Sequence, residues 1–322
     1  MSDASRRRVL VPAPFRALRS LRELSARRAG VALRESLIVL AFVLVAIGVF
    51  FPAIQKARAA AADVTCREHL KRVAQAALGY ERDRGELPPR SVTTPEHGWF
   101  ALVVPHLGEE ELATRIRFDT PYYDPTNKAA VNTHLAVAQC PAAPRQNRTV
   151  AGTTDGVKWT AAATDYACNG GVFPAVMEAG ILPADTSRWT VFANERERRP
   201  LKLSDVQDGV SNTLLLVEMA GRNEAWFTGG RDADHPQAPV RGPWATQNHF
   251  EVRGHSADGK SYPGPCAVNC SNFAGIYAFH SGGANVAFCD GSTRFLRKGM
   301  NIMVLYALCT HTGGEVLTAS DE

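Results

Sequence analysis

Fifteen apolar residues, Leu37 to Phe51, run without a break behind Gly30-Val-Ala-Leu-Arg-Glu35 and Ser36. A helix that is apolar all round is buried in protein or lies in lipid. Leu37 to Ile54 gives eighteen residues including Pro52, and Val31 to Leu33 bring the stretch to the ~20 that a membrane span needs. Past Pro52 the pattern changes to a stripe. Leu70, Val73, Ala74, Ala77 and Leu78 fall at helical spacing, with Arg67, Lys71 and Arg72 on the other face. Gly79 and Gly85 weaken this helix and Leu87-Pro88-Pro89 ends it. The spacing therefore predicts one long helix from Glu35 to about Tyr80. Its first half is an anchor and its second half a stem laid on a folded domain. A proline inside a helix removes one backbone bond, so a bend is expected at Pro52.

Further on the periods are shorter. Gly98 to Ile116 predicts one or two short helices around Trp99, Leu102, Leu107 and Leu112. His134 to Cys140, Thr164 to Cys168 and Thr213 to Val217 alternate or run apolar as strands do. Residues 221–272 are rich in Gly, Pro, Asp, His and Asn and show little periodicity, which predicts a loop-rich elaboration. Ala284 to Cys289, Asp290-Gly291, then Ser292 to Leu296 read as strand, two-residue turn, strand. A type I′ turn with positive φ at both central positions favours Asp-Gly there. A helix from Met300 to Cys309 closes the chain's ordered pattern. The sum is an α+β fold, with a transmembrane-plus-stem helix packed on an antiparallel sheet. The segments expected are a basic leader 1–30, an anchor 31–54, a stem 55–85 and a domain 86–322.

Charge sharpens the topology. The net charge is +4, but residues 1–30 hold eight arginines against Asp3 and Glu23, leaving −2 for the rest. No basic body exists to hold nucleic acid. Positive charge stays cytoplasmic, so the long C-terminal part should be exported. The competing reading is a signal peptide cut among Ala57 to Ala62. Gln55-Lys56-Ala-Arg58 continues in helical register and favours a retained anchor. Seven cysteines (66, 140, 168, 266, 270, 289, 309) all follow the anchor. In an oxidising compartment some should pair, and the odd number leaves one over. Cys66 with Cys140 is the expected pair, tying stem to domain. Cys266-x3-Cys270 has no second close pair to make a zinc site.

Candidate chemistry is sparse. Asp205, Asp208, Ser211 and Asn212 crowd oxygens around Gly209 and could suit calcium, although the spacing is not that of an EF-hand and such clusters also make turns. His235, His249 and His255 are candidate ligands in the loop-rich stretch. Trp226, Phe227, Trp244 and Tyr262 offer aromatic faces there for a glycan, a peptide or a cell-envelope polymer. No Gly-x-Ser-x-Gly, Walker loop or His-Glu-x-x-His occurs, so no enzyme activity is expected.

Many short pieces occur in a telling order. They are Gly30 to Arg58, Cys66 to Leu70, Leu87-Pro88-Pro89, Trp99 to Leu112, Cys140-Pro141 and Asp165-Tyr166. After these come Leu203 to Thr213 with Glu218, Phe279-His280 through Asp290-Gly291, and Gly313-Gly-Glu315. In these the chain resembles a large family of uncharacterised bacterial pseudopilin-like proteins. That family carries a prepilin-type cleavage and methylation segment and a C-terminal His-x9-Asp-Gly motif, here His280, Asp290 and Gly291. The resemblance implies a type IV pilin-like fold and cutting after Gly30 by a prepilin peptidase. It further implies methylation of Val31, and a Glu35 carboxylate that meets a neighbouring subunit's amine. Val31 replaces the usual aromatic or methionine, and Arg34 stands where an apolar residue is normal. His280 and Asp290 could be a metal or catalytic pair. The plainer reading gives Asp290 to the turn and His280 to a neighbouring loop, since the pleat does not make the two converge. The expectation is a single-pass inner-membrane protein, N-terminus inside and domain in the periplasm. It would be a structural part of a type II secretion or type IV pilus-like assembly, or else a tethered binding module.

Overall fold

A computed structural model describes residues 17–182, 187–193, 201–236 and 241–314, with side chains described from Arg34 onward. The chain divides into two units, Met1–Arg58 and Ala59–Glu322. One helix, α1 (Ala17–Arg84), crosses from the first into the second and keeps Pro52 inside it. It begins well before Glu35, because the leader from Ala17 is built mostly of Ala, Leu, Arg and Glu, strong helix formers. Gly85 ends it at φ +73°, its N–H reaching the carbonyl of Glu81 at 2.7 Å. A left-handed residue is what closes a helix this way, and glycine adopts it without strain. None of the apolar run is buried; Phe42 is 73% exposed. The helix is long and apolar enough to cross a membrane.

From Cys66 on, α1 has a buried side. Cys66, Leu70, Val73, Ala74 and Ala77 have no exposed surface, while Lys71 and Arg72 face solvent. Burial of a leucine contributes about 1.5–3 kcal/mol, and losing Leu70 would open a cavity in the core that also holds Trp99 and Phe100. Gly79 packs closely on the next segment: a Cβ there would lie 3.2 Å from the His106 ring, which would have to shift.

The short elements follow in order. A hairpin of β1 (Ser91–Thr93) and β2 (Glu96–Gly98) leads into helices α2 (Trp99–Val103), α3 (Glu110–Arg115) and α4 (Lys128–Val131). Strands β3 (Thr149–Thr154) and β4 (Val157–Ala162) form a second hairpin. Then come β5 (Tyr166–Val172), α5 (Ala175–Glu178), β6 (Leu214–Glu218), β7 (Ala225–Phe227), β8 (Gly230–Asp232), β9 (His249–Val252), β10 (Gly283–Phe288), β11 (Thr293–Arg297) and α6 (Ile302–Cys309). The main sheet has the order β11-β10-β6-β5-β9.

Both faces of this sheet are covered, which is why β6 and β10 are buried at every position rather than alternating. Leu215, Leu216 and Ala287 share a core with the stem residues, Trp99, Phe100 and Trp244. Leu214, Val217, Val286 and Phe288 join the core with Leu305 and Tyr306 of α6 on the other face. The side-chain period of two sorts β5 and β10 between these cores, while a register shift opposite Ala287 and Phe288 leaves the adjacent Leu215 and Leu216 of β6 in the same one.

Three expectations need correction. The sheet is mixed, because β9 pairs with β5 in parallel. That strand comes from the stretch read as loops: Phe250 and Val252 point in and His249 and Glu251 out, over too few residues to stand out among glycines and prolines. His134 to Cys140 is no strand. Its middle, Ala136–Ala138, is a 3-10 turn in which Ala138 N–H bonds to Leu135 O and Gln139 N–H to Ala136 O, each at 3.1 Å, instead of to a partner strand. The late hairpin turns through three residues rather than two. Ser292 O accepts the Phe288 N–H at 2.9 Å, and Phe288 O accepts that of Gly291 at 2.9 Å. Only Gly291 in this turn has positive φ, +81°, which makes a type I turn closed by a left-handed glycine instead of type I′.

Candidate functional site

Four separate segments deliver ionisable or sulfur-bearing side chains to one buried point. Cys66 lies on the inner stripe of α1, one turn before Leu70. Cys140 follows the 3-10 turn, and its N–H donates to Oδ2 of Asp165 at 2.8 Å. Asp165 is fully buried, and its Oδ1 accepts from Gly221 N at 2.8 Å and pairs with Arg148. It is a clamp that sets the Cys140 backbone. Glu218 ends the apolar strand β6 and is fully buried; His280 stands three residues before β10. Cys66 and Cys140 are joined as a disulfide with Cα atoms 5.1 Å apart. The phenol of Tyr166 donates to the Cys66 carbonyl at 3.2 Å. Donor atoms of Cys66, Cys140, Glu218 and His280 all lie within 4.8 Å of one another.

The electrostatics turn on one proton. His280 Nε2 is 3.2 Å from Glu218 Oε1 and 3.4 Å from Cys140 Sγ. Its Nδ1 faces Asp63 Oδ1 of α1 at 3.8 Å. Glu218 Oε2 accepts the Asn285 N–H at 2.5 Å, and the Asn285 amide donates to Asp63 Oδ1 at 2.9 Å. Arg67 pairs with Asp63 at 2.8 Å. Burial pushes the Glu218 carboxyl up, and the bond and charge of His280 offset only part of this. Burial pulls His280 down, but the bond and charge of Glu218, then the charge of Asp63, outweigh it and leave it raised. Both groups are therefore raised in the folded state, Glu218 by burial and His280 by its acidic neighbours. This set can store a proton or ligate a soft divalent cation.

The structure separates the two halves of the His-x9-Asp-Gly pattern. His280 precedes β10 and Asp290 follows it, so they sit at opposite ends of one strand. Asp290 Oδ1 accepts the Ser292 N–H at 2.8 Å, a turn-making contact. The calcium candidates are spent on backbone amides. Asp208 accepts from Gly313 and Gly314 N at 2.8 Å each, and Asp205 from Lys202 N at 3.0 Å. Asn212 donates to the Asp208 carbonyl at 3.2 Å, and the Ser211 carbonyl accepts from Arg294 at 2.7 Å.

The three loop histidines go to different neighbours. His235 stacks on Phe273 at 4.6 Å, His249 lies 3.8 Å from Glu251, and His255 bridges by its backbone to Cys266. Burial pushes His255 down to about 4. Of the aromatic set, Trp244 and Phe227 are buried and Trp226 packs edge-on against Phe279 at 5.0 Å. Tyr262 alone of the four is exposed, beside the Arg253 guanidinium. Cys266 pairs with Cys270, and Cys168, Cys289 and Cys309 are free and buried, their thiols raised by burial. Glu35 is exposed on α1; the side chains of Gly30 and Val31, and Glu315, lie outside the described residues.

Sequence reasoning passed over Asp63 and Asn285 and gave Glu218 and Asp165 no role. A signal existed for Glu218. A carboxylate closing a run of Leu-Leu-Leu-Val must be buried, and a buried carboxylate needs a partner.

No curated protein and no solved structure matches the chain. Residues 55–301, which span the stem, the mixed sheet and all four cluster segments, match the family described as protein of unknown function (DUF1559). The match takes in most of the chain, and the protein belongs to that family.

Proposed function

We propose that the protein is a membrane-anchored, pseudopilin-like structural component of a type II secretion or type IV pilus-like assembly. One observation carries this reading. A single helix is apolar and exposed over Leu37–Phe51, then buries one face against a folded α+β domain from Cys66 on. A helix built this way serves as anchor and as framework. The eight arginines of the leader keep the N-terminus cytoplasmic and send the domain to the periplasmic side of the inner membrane. The Cys66–Cys140 and Cys266–Cys270 bonds suit that oxidising side.

The chemistry the chain undergoes is processing. A prepilin peptidase cuts between Gly30 and Val31, and Glu35 then stands five residues into the mature chain. A lone carboxylate at the membrane boundary favours a cationic partner, which self-assembly or a pseudopilin neighbour supplies. N-terminal sequencing and intact mass of the membrane-extracted protein test this. The expected terminus is methylated Val31. An intact Met1 in cells with active peptidase, or a terminus among Ala57 to Ala62, overturns it.

A further inference from the structure

We propose that the buried cluster is a redox-gated zinc site: with the Cys66–Cys140 bond reduced, Cys66, Cys140, Glu218 and His280 bind one Zn2+. Two sulfurs, one imidazole and one carboxylate are a complete tetrahedral set for zinc, with no position left open. Distances agree. Zinc–ligand bonds of ~2.0–2.3 Å set tetrahedral edges of roughly 3.3–3.8 Å. His280 Nε2 already stands 3.2 Å from Glu218 Oε1 and 3.4 Å from Cys140 Sγ.

Orientation agrees as well. The Asn285 N–H engages Oε2 of Glu218, which leaves Oε1, the oxygen beside His280 Nε2, as a single ligand atom. Asp63 faces Nδ1 of His280 and so presents Nε2 inward. A carboxylate behind a ligating histidine fixes its tautomer and strengthens it as a ligand. Asp63 is itself held by Asn285 and Arg67. A disulfide by itself needs none of this. A buried Glu–His pair is on average no more stabilising than apolar packing of the same volume, so a second use for it is the simpler account.

The balance is as follows. A dithiol reductant gives two electrons and two protons to the Cys66–Cys140 bond and becomes a disulfide itself. Zinc then displaces both thiol protons and the proton shared by His280 and Glu218. Two thiolates, a neutral imidazole and a carboxylate remain on the metal. Reoxidation of the two sulfurs by a disulfide reverses the exchange and releases the ion. The site is independent of whether α1 is processed.

The test uses the full chain in detergent, reduced with a phosphine and titrated with Zn2+ and, for its spectrum, Co2+. One equivalent should bind, with tetrahedral cobalt bands and a thiolate charge-transfer band, and the oxidised chain should bind none. Asp63→Asn should weaken binding by about 10–100-fold, and His280→Gln by at least as much. Cys266→Ser with Cys270→Ser should keep the metal. Absence of binding by the reduced wild-type chain, equal binding by the oxidised chain, or a sulfur-free cobalt spectrum overturns the proposal. So does loss of the metal in the Cys266/Cys270 variant with retention in His280→Gln. The decisive readings are made on the unmutated chain, so a variant that fails to fold does not shield the idea.

Discussion

The two ends of β10 carry the two halves of one sequence pattern, and they are built on different physics. At the His280 end Glu218 and His280 are buried, Asp63 is half-buried, and the groups that meet come from separate segments: Glu218 from β6, Asp63 from α1, Cys140 from after the 3-10 turn. At the Asp290 end the side chain is exposed and bonds two residues along its own turn. The first end is made by side chains from distant segments; at the second the side chain serves its own turn, and only the turn's backbone reaches further, Asp290 N to Val210 O at 3.0 Å. Residues that sit together in a motif therefore need not share a task. Asp-Gly ends a strand, whereas His joins the sheet to the helix beside it.

This contrast can be broken in a graded series. The largest effect is expected from Glu218→Ala, which leaves His280 without its buried partner. Removing one member of such a pair costs about 3–5 kcal/mol. Denaturant unfolding of the detergent-solubilised chain would measure it, and a loss below that of any turn substitution would erase the distinction. Gly291→Val comes next. Its φ of +81° costs a side-chain-bearing residue about 1–2 kcal/mol, and a Cβ would lie 3.3 Å from Leu78 Cδ1. Asp290→Ala removes one exposed turn bond and should lose only about 0.5–1 kcal/mol in the same assay.

The smallest change is in pH dependence. Glu218 and His280 are both raised in the folded state, so in their window the folded chain holds more protons than the unfolded one. The stabilisation is complete at acidic pH, below the unfolded values. It declines as pH rises past the ordinary carboxylate range and then through the raised value of His280. Unfolding midpoints taken across that range should fall. Glu218→Gln should flatten the decline and Asp290→Asn should leave it intact; the reverse result would assign the proton to the wrong end.

Legibility followed the range of the interactions. The exposed apolar run, the stem stripe, Leu214–Glu218 and the closing helix are local patterns repeated over several residues, and they could be read directly. The turn at Asp290 was placed correctly but given the wrong type, because the dipeptide suits two geometries and only the pairing of Phe288 with Ser292 chooses between them. β9 was missed because a four-residue strand becomes one only beside β5. The aromatic residues read as a recognition face went mostly inside, since periodicity says nothing about which loop covers a sheet.

By itself, then, the sequence determined the exposed apolar helix, the charge asymmetry of its leader and the apolar stripe of the stem, all properties of neighbours along the chain. Which side chains share a buried point was settled only in three dimensions. His280 meets Glu218 across 62 positions, Cys140 across 140, and Asn285 reaches Asp63 across 222. Separations of that size carry no local period. They are fixed when the sheet closes against the stem and each buried charge must find a partner or not be buried at all.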